Sequence, residues 1–131
     1  MATYYDGPQL TGEAITAHAF CIIDASASPD TMIMADDGTT ADIAFVSQVA
    51  LASGQALYGM QDSGYALLRL VTGQNPAANV ALTADYDSGA GYHGATAAVT
   101  GDYVYAITVE PASGSAGYVR CKLVDSPIVQ P

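Results

Sequence analysis

Apolar residues occur along this chain in short runs that turn-forming residues separate. Most runs are four to eight residues long, and Gly, Pro, Asp-Gly or Ser-Gly interrupts most windows before a helix of ordinary length could form. Short runs between turn signals favour β-strands. The pattern predicts nine strands, at 19–24, 32–35, 43–50, 56–60, 65–71, 79–84, 95–99, 103–110 and 117–124.

Many short strands with tight turns are typical of a small barrel or sandwich. Asp37-Gly38 and Ser63-Gly64 are turn signals of this kind. The Ala-rich segment 41–52 is also compatible with a short helix, because periodicity alone does not separate the two structures there. At 131 residues the chain is expected to build one core. We therefore predict an all-β fold, a small β-barrel or sandwich.

Two stretches of the sequence resemble each other. Residues 12–19 align with 73–80, and 49–54 align with 109–114 at nearly the same offset. In both copies a Gly-led turn opens an apolar strand, and a later strand ends in Ala-Ser-Gly. This similarity predicts two pseudo-repeated halves. The expected organisation is an N-terminal arm at 1–10, a single β domain at 11–125 with halves at about 12–71 and 73–124, and a C-terminal tail at 126–131.

The charge balance narrows the classes of partner. Thirteen Asp and Glu stand against three Lys and Arg, for a formal net charge of −10. Such a chain repels phosphate backbones, so the sequence argues against a nucleic acid as a binding partner. The same repulsion disfavours binding to anionic membranes. No apolar run reaches the roughly 20 residues of a spanning helix. The first ten residues lack the basic head and apolar run of a secretory signal. We therefore expect that the protein is made and used without export from the cell.

The residues that could carry reaction chemistry are few and scattered. His18 and His93 fall in separate predicted turn regions, without a Gly-x-Ser-x-Gly motif. Residues 85–89 carry alternate Asp residues but lack the spacing of a calcium loop, and turn formation explains them. Cys21 and Cys121 lie in apolar runs and are expected to be free thiols. We predict no enzymatic activity, no cofactor and no metal.

Aromatic and basic residues indicate a protein partner. The chain has nine Tyr and no Trp, and Tyr joins an apolar ring to a polar tip that suits interfaces. Alternation places Arg120 and Lys122 on one face of the last predicted strand, where a local surface pair is the alternative explanation. The residues predicted to contact a partner are Tyr4, Tyr5, Gly7, Pro8 and Leu10 of the arm together with Arg120 and Lys122.

The opening Gly12-Glu13-Ala14-Ile15-Thr16-Ala17-His18-Ala19, the Ala-Ser-Gly strand ends and the segment 101–112 resemble small phage capsid decoration, or cement, proteins. The resemblance covers about residues 10 to 125. It implies an all-β virion protein on the outer capsid face, commonly a trimer, whose N-terminal arm or barrel rim contacts the major capsid protein. Two other functions stay open: another virion subunit, such as a head fibre base, tail or adaptor protein, and a carbohydrate-binding module.

Overall fold

The computed structural model describes residues 8–42, 44–112 and 117–131, and these form nine strands and no helix. The predicted all-β fold is confirmed. The strands are β1 (Phe20–Asp24), β2 (Thr31–Met34), β3 (Phe45–Ser47), β4 (Met60–Gln61), β5 (Tyr65–Arg69), β6 (Ala81–Asp87), β7 (Tyr92–Ala97), β8 (Tyr103–Thr108) and β9 (Tyr118–Val129).

The strands form two antiparallel sheets. The smaller sheet has the order β2-β1-β3-β4, and the larger has the order β5-β9-β8-β6-β7. Without β5, the larger order is β7-β6-β8-β9, which repeats the smaller order strand for strand. The small sheet is therefore formed by residues 20–61 and the large sheet by residues 65–129. The strand β5, which the sequence assigns to the end of the first half, is an additional strand of the large sheet.

The registers of β1 with β3 and of β3 with β4 recur at an offset of 61 in the pairs β6–β8 and β8–β9, whereas the β6–β7 register is shifted by two residues relative to β1–β2. In the small sheet Phe20 pairs with Val46, which pairs with Gln61. In the large sheet Ala81 pairs with Ile107, which pairs with Lys122. Each of these residues lies 61 positions after its counterpart in the small sheet. The loops follow the same rule. The backbone N–H of His18 donates to Ser47 and that of Asn79 to Thr108, and His18 and Asn79 are the only described non-Gly residues with positive φ.

The large sheet curls until its two edge strands meet. Leu70, which follows β5, forms a parallel bridge with Ala95 of β7. The Tyr92 hydroxyl donates to the Leu70 carbonyl at 2.8 Å, and the Arg69 guanidinium lies 3.7 Å from the centre of the Tyr92 ring. These contacts form a seam between β5 and β7. The seam gives the sheet the curvature of a partly closed barrel.

Two clusters of buried side chains form the core. The first fills the large sheet and also contains Phe20 and Val46 of the small sheet, so it joins the halves. The second lies on the other side of the small sheet, around Met32. Cys21 and Cys121 are both free and buried, one in each cluster, as the sequence predicts. Burial raises the pKa of each thiol to about 12.

Three sequence-based boundaries differ from the structure. The predicted strand at 56–60 is reduced to its end, because the Leu57 N–H donates to Gln9 and not to a neighbouring strand. The helix alternative at 41–52 is wrong for the described residues, which include β3. Asp85 and Asp87 belong to β6, so the turn predicted there begins after them.

Both predicted chain ends are shorter than expected. Residues 126–129 are the last part of β9 and not a separate tail, because Ile128 pairs with Val104 and Val129 with Tyr103. At the other end, Pro8 is buried and the Leu10 carbonyl accepts the Met32 N–H. The last residues of the predicted arm thus belong to the folded body.

Candidate functional site

Six exposed side chains on the outside of the large sheet form the candidate site. Five of them come from the adjacent strands β5, β9 and β8, the sixth is Val109 directly after β8, and together they stand in two rows. In the first row Tyr65 is opposite Lys122, which is opposite Ile107. In the second row Leu67 is opposite Arg120, whose carbonyl accepts the N–H of Val109. We call this surface, formed by Tyr65, Leu67, Ile107, Val109, Arg120 and Lys122, the cationic face.

Strand alternation produces the centre of this face. Val119, Cys121 and Leu123 of β9 point into the core, so Arg120 and Lys122 between them point outward. The two cations therefore share one face of β9, as the alternation predicts. Their spacing along the strand is about 7 Å.

Apolar side chains flank the two cations on both sides. Tyr65 is 57% exposed and Ile107 is 40% exposed. The repeat shows how unusual this is. Val46, the counterpart of Ile107 in the first half, is fully buried in the core that joins the halves. A position that one half buries against protein is thus open to solvent in the other half.

The cations of the face have no carboxylate partner among the described residues. The one ion pair among the described residues lies outside this face and joins His93 to Asp36, at 2.6 Å. The Arg120 guanidinium is 5.7 Å from the Tyr65 ring centre, a loose contact that leaves its N–H groups free to bind an acceptor. Arg69, the third cation of the chain, is used in the seam and not on this face.

The structure brings together only some of the residues that the sequence predicts as partner-binding. Arg120 and Lys122 lie side by side on the cationic face. Pro8 is buried, and Leu10 is exposed and bridges to Ala56. The predicted contacts Tyr4, Tyr5 and Gly7 lie outside the described residues.

Sequence analysis missed the four apolar members of the face. Leu67 and Ile107 lie inside continuous apolar runs of the sequence, in which every residue is a candidate for the core. Their exposure depends on which face of a curled sheet each one occupies. The signal that would identify these residues is the register of β5 and β8 with β9. The sequence of one strand alone does not give this register.

The two histidines act as connectors between segments. His93 lies in β7 and not in a turn; its Nε2 contacts Asp36, and its ring packs at 4.7 Å against Tyr86. His18 is in a turn, and its Nδ1 lies 3.1 Å from the Leu67 carbonyl. The His18 carbonyl also accepts the Arg69 N–H. Both side chains join the first half of the chain to the second.

Two of the hollows on the described surface lie beside the sheets. One, of about 400 Å³, adjoins the cationic face, and Ile107, Val109 and Lys122 are part of its lining. The other, of about 320 Å³, lies beside β4, with Phe45 and Tyr58 in its wall. The first hollow extends the cationic face, so this surface is not flat.

Within residues 8–42, 44–112 and 117–131, no group of three or more His, Cys, Asp or Glu side chains is arranged to hold a metal ion. The same residues contain no helix with the length and hydrophobicity needed to cross a membrane. Comparisons of the chain with models of protein families, with curated proteins and with solved structures find no match.

Proposed function

We propose that the protein is a non-enzymatic structural virion protein that binds the outer surface of an assembled phage capsid and stabilises contacts between major capsid subunits. The observation that carries the proposal is the cationic face. Exposed apolar side chains around two unpaired cations favour association with another protein. The resemblance of 12–19 and 101–112 to capsid decoration proteins supports the capsid as the assembly in question.

This function requires binding energy and no reactive group. A protein that binds the assembled shell, and not its free subunits, stabilises the shell by mass action. The N-terminal arm is proposed to supply a second contact, through Tyr4, Tyr5 and Gly7. The bond from Leu57 to Gln9 anchors the start of the described chain to the body.

The experiment is co-sedimentation of the purified chain with particles that lack it. We expect saturable binding, with a copy number that approaches the number of capsid subunits. A tail or adaptor protein would bind in far fewer copies. A chain that does not sediment with the particles, or that is missing from mature virions, contradicts the proposal.

A truncated chain tests the arm separately. Deletion of residues 1–7 leaves Pro8, Gln9 and Leu10 in place, so the body should keep its circular dichroism spectrum. We expect reduced occupancy of the particles. Full occupancy by the truncated chain removes the arm from the proposal but leaves the cationic face in it.

A further inference from the structure

We infer that the cationic face binds an acidic surface on a second copy of this chain, formed by Asp37, Asp42 and Asp102. The inference deepens the proposed function and rests on it for one premise, that the partner of the face is a protein. In this arrangement neighbouring copies on the shell contact each other through the cationic face, and the N-terminal arm contacts the capsid subunits. It names that partner and the surface that the partner presents.

The acidic surface is built where the loop after β2 meets the start of β8. The Gly38 carbonyl accepts the Tyr103 N–H at 2.8 Å, and the Thr40 carbonyl accepts the Tyr105 hydroxyl at 2.6 Å. These two bonds hold the loop 36–42 against β8. The loop carries three carboxylates, of which Asp36 contacts His93 while Asp37 and Asp42 contribute to the acidic surface. The third member, Asp102, precedes Tyr103 in the chain.

Local hydrogen bonds fix these carboxylates but leave charge available. Asp37 accepts the Thr39 N–H, and Asp102 accepts the Val99 N–H through one oxygen. The negative charges of Asp37, Asp42 and Asp102 all add to burial in raising the pKa of the Tyr105 hydroxyl, so the three act on one region. None of them forms an ion pair with Lys or Arg in the part of the chain that the structure describes.

The two charged surfaces lie toward opposite ends of β8. Asp102 precedes this strand, whereas Ile107 of the cationic face is near its end. Five residues of extended strand separate them by about 17 Å, which is too far for an ion pair within one copy. Between copies the same charges attract each other. Two cationic faces placed against each other would instead bring Arg120 and Lys122 close to their own kind, which is unfavourable.

The first half of the chain provides a template for apolar contact at this position. Val46 is buried in the cluster that joins the halves, and its repeat counterpart Ile107 is exposed. Covering Ile107, Val109, Tyr65 and Leu67 removes apolar area from water, while the carboxylates of the second copy neutralise the two cations. Both contributions favour the same contact.

The test is sedimentation velocity of the purified full-length chain without particles. We expect self-association at about 20 mM salt that weakens at least about tenfold at about 500 mM salt, because salt screens the charges. The variant Arg120→Gln/Lys122→Gln should self-associate at least about tenfold more weakly than the parent chain. Both positions are exposed, so the variant should fold normally.

A matched control separates the face from overall charge. Removing the two cations brings the formal net charge from −10 to −12. The control Ser53→Asp/Asn75→Asp also reaches −12, at two exposed positions outside both surfaces. We expect the control to associate like the parent chain. Equal weakening in the control and in the Gln variant would show a general charge effect and overturn the inference.

Complementation provides the decisive measurement. The variant Asp37→Asn/Asp42→Asn should also self-associate at least about tenfold more weakly, because only Asp102 of the acidic surface keeps its charge. In an equimolar mixture, however, the Gln variant still has the acidic surface and the Asn variant still has the cationic face. We expect the mixture to form one-to-one complexes that neither variant forms alone.

Besides equal weakening in the charge control, three results would overturn the inference: a parent chain that stays monomeric at low salt, a Gln variant that associates as tightly as the parent, or a mixture that remains monomeric. Particle binding distinguishes these failures from failure of the proposed function. If the parent chain is monomeric but binds particles through Arg120 and Lys122, a capsid subunit occupies the face. The proposed function would then stand without the second copy.

Discussion

At the scale of single residues, the seam of the large sheet requires glycine at one position. A Cβ atom on Gly94 would lie 2.9 Å from the Arg69 carbonyl oxygen and 3.1 Å from the Val71 nitrogen. Both neighbours are backbone atoms, and neither can move without opening the contact between β5 and β7. The closed curvature of the sheet therefore depends on this missing side chain.

Replacing Gly94 with Ala should lower the free energy of unfolding by about 1–3 kcal/mol, because the extra methyl group overpacks the seam. Urea denaturation measures the change. Gly89→Ala is the matched control in the same hairpin, since its Cβ would make only an ordinary contact of 3.5 Å with Asp87. A stability loss in Gly89→Ala as large as in Gly94→Ala would contradict the role of the seam.

Buried ionisable groups predict how stability depends on alkaline pH. Burial raises the pKa of Cys21 and Cys121 from 9.0 to about 12, and that of Tyr105 from 10.0 to about 12. The folded state thus holds these protons more tightly than the unfolded state. Their contribution to stability is complete below about pH 9 and is lost as the pH rises from about 9 to about 12.

The urea midpoint should therefore fall between about pH 8 and about pH 11. Tyr105→Phe should reduce the part of this fall above about pH 10, although it also removes the hydrogen bond to Thr40. Tyr58→Phe is the control, because that ring is 55% exposed. A midpoint that stays constant over this range would contradict the assignment.

At the scale of secondary structure elements, β9 has two structural roles. Its first part pairs with both β5 and β8 and carries the cations of the cationic face. A register shift opposite the region between Val104 and Ala106 then lets its last residues pair with the start of β8. The end of the chain thus secures the strand that adjoins the acidic surface.

Truncation after Val124 should destabilise the body by about 2 kcal/mol, because several backbone hydrogen bonds to β8 are lost. The truncation also removes the bond from the Gln130 N–H to the carbonyl of Asp102, the residue just before β8, at 2.7 Å. Thermal unfolding monitored by circular dichroism measures the effect. Removal of Pro131 alone is the control and should have little effect. A truncated chain as stable as the parent would show that residues 125–131 act as a free tail.

At the scale of the whole molecule, one core joins two sheets of the same topology. Phe20 belongs to the small sheet, yet it packs at 5.4 Å against Tyr105 of the large sheet. The contact between His93 and Asp36 also links the halves, but the Asp36 side chain is 75% exposed. Apolar packing, and not this ion pair, should therefore make the halves cooperative.

We expect one unfolding transition, with coincident curves from tyrosine fluorescence and circular dichroism. Phe20→Ala should lower the stability of both halves together, by about 3–5 kcal/mol. Asp36→Asn should cost less than about 1 kcal/mol. Two separate transitions, or a Phe20→Ala variant that unfolds only one of them, would contradict a shared core.

Particular strands show how far the sequence predicts the fold. The segments around β1, β2, β5 and β8 were located within a few residues, because each is a short apolar run between turn signals. The segment 56–60 was predicted too long, because Leu57 bonds to the chain start, which local pattern cannot show. The end of β9 was missed because Asp125 and Pro127 resemble a tail.

By itself the sequence determined the all-β class, the free cysteines and the shared face of Arg120 and Lys122. These follow from local rules: strand length, turn chemistry and the two-residue period of a strand. Only the tertiary structure decided that Ile107 is exposed while Val46 is buried, and that Tyr65 and Leu67 flank the cations. The reason is that burial depends on what another strand or sheet places against a residue, and that partner is far away in the chain.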